Sequence, residues 1–304
     1  MATLRQLKDR VRSLKNTQQI TRAMKMVAGA KIRRAEQAMR AARPYAAAIG
    51  EMLRELAKTG GARHPLLESR EVAKSGIVLM TSDKGLAGAF NSNLVREALV
   101  LARKSSVARF YLVGTKGKVQ LRSTPFAVAA DWQLQSKPFH EMAREIAERV
   151  SGDFLSGDVD NVTLVSSRFV STIVQRPTPT QLLPISPALP ADATSTADVK
   201  SAATTQEKAT AQEKPGLKNA FEFEPDPAAV LAALLPKYLE FTVFQGLLET
   251  QASFFAAQLI AMTNATDNAG KLIDDLTLVM NKTRQASITK EILEIVGGAE
   301  ALRG

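Results

Sequence analysis

Apolar residues recur at steps of three and four over two long stretches of this chain, one towards each end, while the middle follows a different rule. From Leu4 to about Leu56 helix formers dominate, with Pro44 as the single interior proline. Leu4, Leu7, Val11 and Leu14 make a heptad seam, continued less strictly by Ile20, Met24, Val27, Ile32, Met39, Ile49 and Leu53. Residues 1–60 are expected to form one helix about 80 Å long, too long to be buried inside a globule.

The second stretch covers residues 227–298, with an apolar stripe from Leu231 and Leu235 through Phe244, Leu248 and Phe255 to Ile292 and Ile295. Pro236 is expected to interrupt it early, and Gly246 and Gly270 are weak points. Straightened, it reaches about 100 Å. Two long helices with one apolar stripe each cover those stripes most simply by pairing antiparallel.

Residues 72–184 alternate short β-like runs (Gly76–Met80, Arg109–Val113, Val162–Val165) with helical stretches around Asn93–Arg103 and Lys137–Val150. That order implies a mostly parallel α/β sheet. Residues 186–220 are rich in Ala, Thr, Ser, Lys, Gln and Glu and poor in large apolar side chains. Such a tract cannot bury enough surface to offset its ordering entropy and is expected to be a disordered loop.

Charge sharpens this division. The net charge is +10, and residues 1–58 hold 14 Lys and Arg against 4 acids, so the first helix carries the whole surplus. Tyr45 is its only aromatic, which argues against base stacking and single-strand binding. No cysteine is present, excluding disulfides, thiolate metal sites and thiol switching. His64 and His140 are the only histidines, and neither has ligand spacing, so no metal or cofactor is expected. Met1–Arg5 runs straight into charged residues, and no stretch approaches the ~18 uncharged apolar residues of a membrane span. A soluble chain that meets a membrane only through a partner is expected.

Thr81–Asn91 follows a strand and precedes a helix, where a nucleotide loop would sit, but it fits neither the P-loop nor the dinucleotide glycine spacing and reads as a tight turn. Gly114–Lys118 reads as a basic turn. No nucleophile–base constellation stands out, so the chain is not expected to be an enzyme. The polar stretches Asn16–Val27 and Asn281–Thr289 interrupt the helical seams. Two readings stay open for them: a locally loosened coil with solvated faces, or surfaces turned towards another protein.

Asn16–Val27, Ser82–Leu86, Gln181–Pro184, Phe223–Pro227, Ala265–Ala269 and Asn281–Glu291 follow the order of signature stretches in a known family. On these six blocks, spanning nearly the whole chain, the sequence resembles the gamma subunits of bacterial F-type ATP synthases. The resemblance implies an antiparallel coiled coil of the terminal helices with a Rossmann-like α/β domain inserted at its base. It implies a non-catalytic shaft that couples c-ring rotation to the catalytic beta subunits and regulates ATPase activity and proton flow. The implied partners are the alpha and beta subunits of a hexameric head, the epsilon subunit and the c-ring, on the cytoplasmic face of the inner membrane.

The resemblance also implies site residues. Arg284 and Gln285 match positions that engage a catch loop of a beta subunit, with Met24 and Lys25 on a neighbouring segment. Lys84, Gly85, Phe223, Glu224 and Asp226 fall in the epsilon and c-ring region. Ile292, Ile295 and Val296 belong to the tip held in an apical bearing. This chain lacks the regulatory cysteine pair of chloroplast relatives, and its 186–220 tract is longer than the family leads one to expect. The alternatives are an α/β enzyme with a ligand at Ser82–Asn91 and a basic coiled-coil nucleic-acid binder.

Overall fold

A computed structural model describes residues 3–58, 64–186, 224 and 226–301. Helix α1 (Leu4–Lys58) and helix α5 (Pro227–Ala301) are the two long arms. Between them lie a short 3-10 turn (Pro65–Leu67), β1 (Lys74–Met80), α2 (Phe90–Ala102), β2 (Val107–Val113), α3 (Thr115–Leu121), β3 (Ala127–Trp132), α4 (Phe139–Leu155), β4 (Asn161–Phe169) and β5 (Gln175–Leu183). The architecture is the expected one, an antiparallel helical pair with an inserted α/β domain. Phe223 and residues 187–220 lie outside the described residues.

Both arms start on chemistry legible in the chain. Thr3 Oγ1 accepts from the Gln6 N–H at 3.3 Å, while Gln6 Oε1 accepts from the Thr3 N–H at 2.9 Å, a reciprocal cap that satisfies two otherwise free donors. Asp226 Oδ1 accepts from the Ala229 N–H at 2.8 Å, and Pro227 fills the first helical position, where no N–H is needed. Pro44 and Pro236 both sit inside continuous helices, so Pro236 does not interrupt α5. Packing on the neighbouring elements outweighs one lost hydrogen bond.

The sheet order is β3-β2-β1-β4-β5, parallel except for the β4–β5 pair. Alternate residues of the central strands feed two cores. Ile77, Leu79, Phe110 and Leu112 face α2 and α3; Val78, Met80, Tyr111 and Val113 face α4, the lower end of α1 and the first turns of α5. The sequence reading missed β3, β5 and α3. β3 is half exposed, and β5 carries Pro177 and Pro179, which a sheet tolerates only at its edge. Gly114–Lys118 is not a turn but the start of α3, with Gly114 at φ 88° as its cap.

The seam of the coil also differs from the reading. Counting strict heptads from Leu7 and Val11 leads to Leu14, Gln18, Thr21, Lys25, Ala28, Ile32, Ala35 and Met39; of these Leu14, Gln18 and Lys25 are half-buried and the rest are buried. Ile20 and Val27, read as seam residues, are 61% and 54% exposed and lie on the outer face. A pattern drawn through the largest apolar side chains drifts off the true stripe where small and polar residues occupy it. By length and composition α5 is apolar enough to cross a membrane, which the sequence pattern does not suggest. The apolar start of α5 carries Lys237 and Glu240, and its Leu231, Leu235, Leu239 and Val243 are buried in the core with α4 and the sheet.

Candidate functional site

Cross-helix contacts fix the register of the coil. Thr266 Oγ1 donates to Thr21 Oγ1 at 2.8 Å, the Lys31 ammonium lies 5.4 Å from the Phe255 ring centroid, and the Tyr45 and Phe241 rings are 4.8 Å apart. Each step towards the start of α1 is a step towards the end of α5, so α1 runs out opposite roughly residue 282, and α5 continues alone for about 30 Å. Every described side chain from Arg284 to Ala299 is exposed.

That bare end is not a plain polar helix. Ile288, Leu293, Ile292, Ile295 and Val296 are between 48% and 71% exposed, with no partner on α1. At 100° per residue they share about half the circumference, and Lys290, Glu291 and Glu294 occupy the rest. Lys290 pairs with Glu294 at 3.6 Å, and Ser287 donates to Glu291 at 3.3 Å, supports internal to the polar face. Burying one such isoleucine contributes about 1.5–3 kcal/mol relative to leaving it in water, so a sleeve closing on this face gains substantially. Arg284 and Gln285 stand exposed at the foot of this segment, where the second helix ends.

The structure does not bring all the expected site residues together. Met24 and Lys25 are half-buried in the seam opposite Met262, so they sit roughly 30 Å of helix below Arg284 rather than beside it. Lys84 and Gly85 lie on the loop after β1; Lys84 lines the same cleft as Phe254 and Phe255, and Gly85 faces Lys116. Glu224 and Asp226 lie at the opposite end of this part of α5, roughly 40 Å away along the helix. Asp226 is occupied as a helix cap. Phe223 is outside the described residues.

The loop after β1 is a tie rather than a phosphate cradle. Asn91 Oδ1 accepts from the Ser82 N–H at 3.0 Å, and Ser82 Oγ donates to the Lys84 carbonyl at 2.6 Å. Asp83 Oδ1 accepts from the Thr115 N–H at 3.0 Å, placing a carboxylate at the start of α3. Thr81 Oγ1 donates to the Val113 carbonyl and accepts from the Gly117 N–H, both at 2.9 Å. A Cβ on Gly114 would fall 2.3 Å from the Thr81 carbonyl oxygen, so only glycine allows the approach. The polar groups that could meet a nucleotide are spent on holding β1, α2 and α3 together.

Between these regions the seam is polar. Thr21 Oγ1 donates to the Gln18 carbonyl at 3.1 Å, Gln18 Nε2 reaches the Thr266 carbonyl at 3.5 Å, and a Cβ on Gly270 would be 3.1 Å from Gln18 Nε2. The Asn16–Val27 block is thus divided. Gln18 and Thr21 face α5, whereas Ile20, Met26 and Val27 face outwards. Heptad counts from Leu7 and from Val11 are the signal that would have found the inward pair.

A family model described as ATP synthase matches residues 3–302. The ATP synthase gamma chain of Desulforamulus reducens is 43% identical over 304 residues, covering 99% of this chain and 100% of that protein. That of Nitratidesulfovibrio vulgaris strain Miyazaki F is 42% identical over 315 residues, with both chains covered to 100%. Among solved structures, a chain of the Tetrahymena thermophila mitochondrial ATP synthase central stalk and c-ring is similar at TM-score 0.59 and 26% identity, over 81% of this chain and 99% of that one. A chain of the Euglena gracilis mitochondrial ATP synthase F1 and c-ring assembly shares the fold at TM-score 0.62 and 18% identity, over 98% of this chain and 94% of that one.

Proposed function

Because the chain belongs to the ATP synthase gamma family, we propose that its paired helices turn as the central shaft of that complex and carry torque between the c-ring and the catalytic beta subunits. The observation that carries this reading is the bare end of α5, an apolar half-circumference with no partner among the described residues. A shaft that ends inside a ring of other subunits needs such an end; a self-contained domain would bury it.

In this reading Ile292, Ile295 and Val296 turn in an apolar sleeve at the top of the alpha and beta head. Arg284 and Gln285, exposed just below, engage a beta-subunit loop, and the planar guanidinium can make forked bonds to a carboxylate that form and break with angle. Met24 and Lys25 serve a second, lower contact with the head, a level apart from Arg284. Lys84, Gly85, Glu224 and Asp226 face the epsilon subunit and c-ring as two separate patches. The chain itself carries no catalytic group; the asymmetry of the coil sets the nucleotide affinity of each beta site in turn and so governs ATPase activity and proton flow. Its place is peripheral, on the cytoplasmic face of the bacterial inner membrane, held there by the complex.

Coexpression with alpha and beta subunits of the same source tests this. A complex with ATPase activity at the mass of the hexamer plus one copy is the expected product, and Arg284→Ala lowers its activity by up to about tenfold, the ratio that ~1.4 kcal/mol corresponds to. A folded chain that elutes alone, with or without the substitution, sinks the reading.

A further inference from the structure

The carboxyl end of β1 lies at the point where the strand order reverses, with β2 on one side and β4 on the other. Open α/β sheets bind ligands in the crevice at such a point. Here a cleft opens there between α1, α5 and the loops after β1 and β3.

The cleft has an apolar floor and a basic rim. Met80, Leu247 and Phe254 are buried beneath it, and Phe255 forms part of the wall. Lys31 reaches it from α1 and Lys84 from the loop after β1. Among the described residues neither lysine has an acid within ion-pair distance; Lys31 has only the Phe255 ring. Asp83 also lines the cleft, but its Oδ1 is engaged by the Thr115 N–H. The Ser82 N–H is already bonded to Asn91, so an anion would be held by side-chain ammonium groups and not by the backbone.

We propose that this cleft binds a small amphiphilic anion, a carboxylate or phosphate monoester carried on an apolar body, with the acid between Lys31 and Lys84 and the body against Phe255 and the floor. Such a ligand touches α1, α5 and the α/β domain at once. It therefore fastens the coil to its base and raises the thermal midpoint of the full chain with the logarithm of ligand concentration above Kd.

The test is calorimetric titration of the full-length chain with 2-naphthoate and with decanoate, beside neutral 2-naphthalenemethanol and inorganic phosphate. Saturable binding of an acid is expected, weakened about tenfold or more by the Lys31→Gln, Lys84→Gln double variant and by the neutral alcohol, a loss of ~1.4 kcal/mol or more. Tighter decanoate points to a lipid-derived acid and tighter naphthoate to an aromatic one. Unchanged circular dichroism of the double variant separates lost binding from lost fold. No saturable binding at about 1 mM, the weak end of specific affinity, overturns the proposal. So does equal binding of the alcohol, or binding abolished by Ile292→Ala and Ile295→Ala at the bare end of α5 but not by the lysine variant.

Discussion

The lower half of the coil and its upper end are made of the same kind of helix and obey opposite rules. Below, Leu53 and Leu56 of α1 and Leu231, Leu235, Leu239 and Val243 of α5 are buried in one core with α4 and the sheet. Above, Ile288 to Val296 present side chains of the same size to solvent. Apolar content alone does not separate the two. What separates them is whether the described residues supply a partner: the base is packed within one molecule, and the tip, in the proposed reading, meets a surface that another molecule provides.

Leu239→Ala should break the base. Leu239 is 1% exposed, and truncating it costs about 2–5 kcal/mol of unfolding free energy in a denaturant titration of the isolated chain. A loss below ~1 kcal/mol would mean that the base is looser than its burial indicates.

Thr266→Val probes the polar middle of the coil, between the two regimes. It removes the cross-helix bond to Thr21, whose hydroxyl keeps the Gln18 carbonyl, at about 0.5–1.5 kcal/mol in the same titration. Stabilisation instead would show that the polar seam is held at a cost for some purpose other than packing.

Ile295→Ala sharpens the contrast from the other side. At 71% exposure it should change the stability of the isolated chain by no more than ~0.5 kcal/mol, yet weaken assembly with the head subunits in coexpression. A large destabilisation of the isolated chain would mean that the tip already has a partner within its own molecule.

Much of this was legible in the residues. The long arms follow from unbroken helix formers, and the central strands β1, β2 and β4 from short β-branched and aromatic runs. The rest was hidden for physical reasons. β5 contains two prolines, and β3 alternates too weakly, because an edge strand needs neither a full ladder nor two buried faces. The middle of the seam was drawn through Ile20 and Val27 because large apolar side chains normally mark a buried stripe, whereas Gln18 and Thr21 occupy it. The spread of the expected site residues along the coil was illegible for a different reason. Sequence blocks give order, and only the antiparallel register gives height.

That register leaves the last stretch of α5 as a single helix, about 10–12 Å across including side chains. Torque is force multiplied by radius, and at this end the radius is only about 5–6 Å. The same contact that resists turning strongly at the rim of the broad α/β domain therefore exerts little drag at the tip. In the proposed reading, an axle that narrows towards its tip can be gripped firmly by apolar contacts and still spin with small loss.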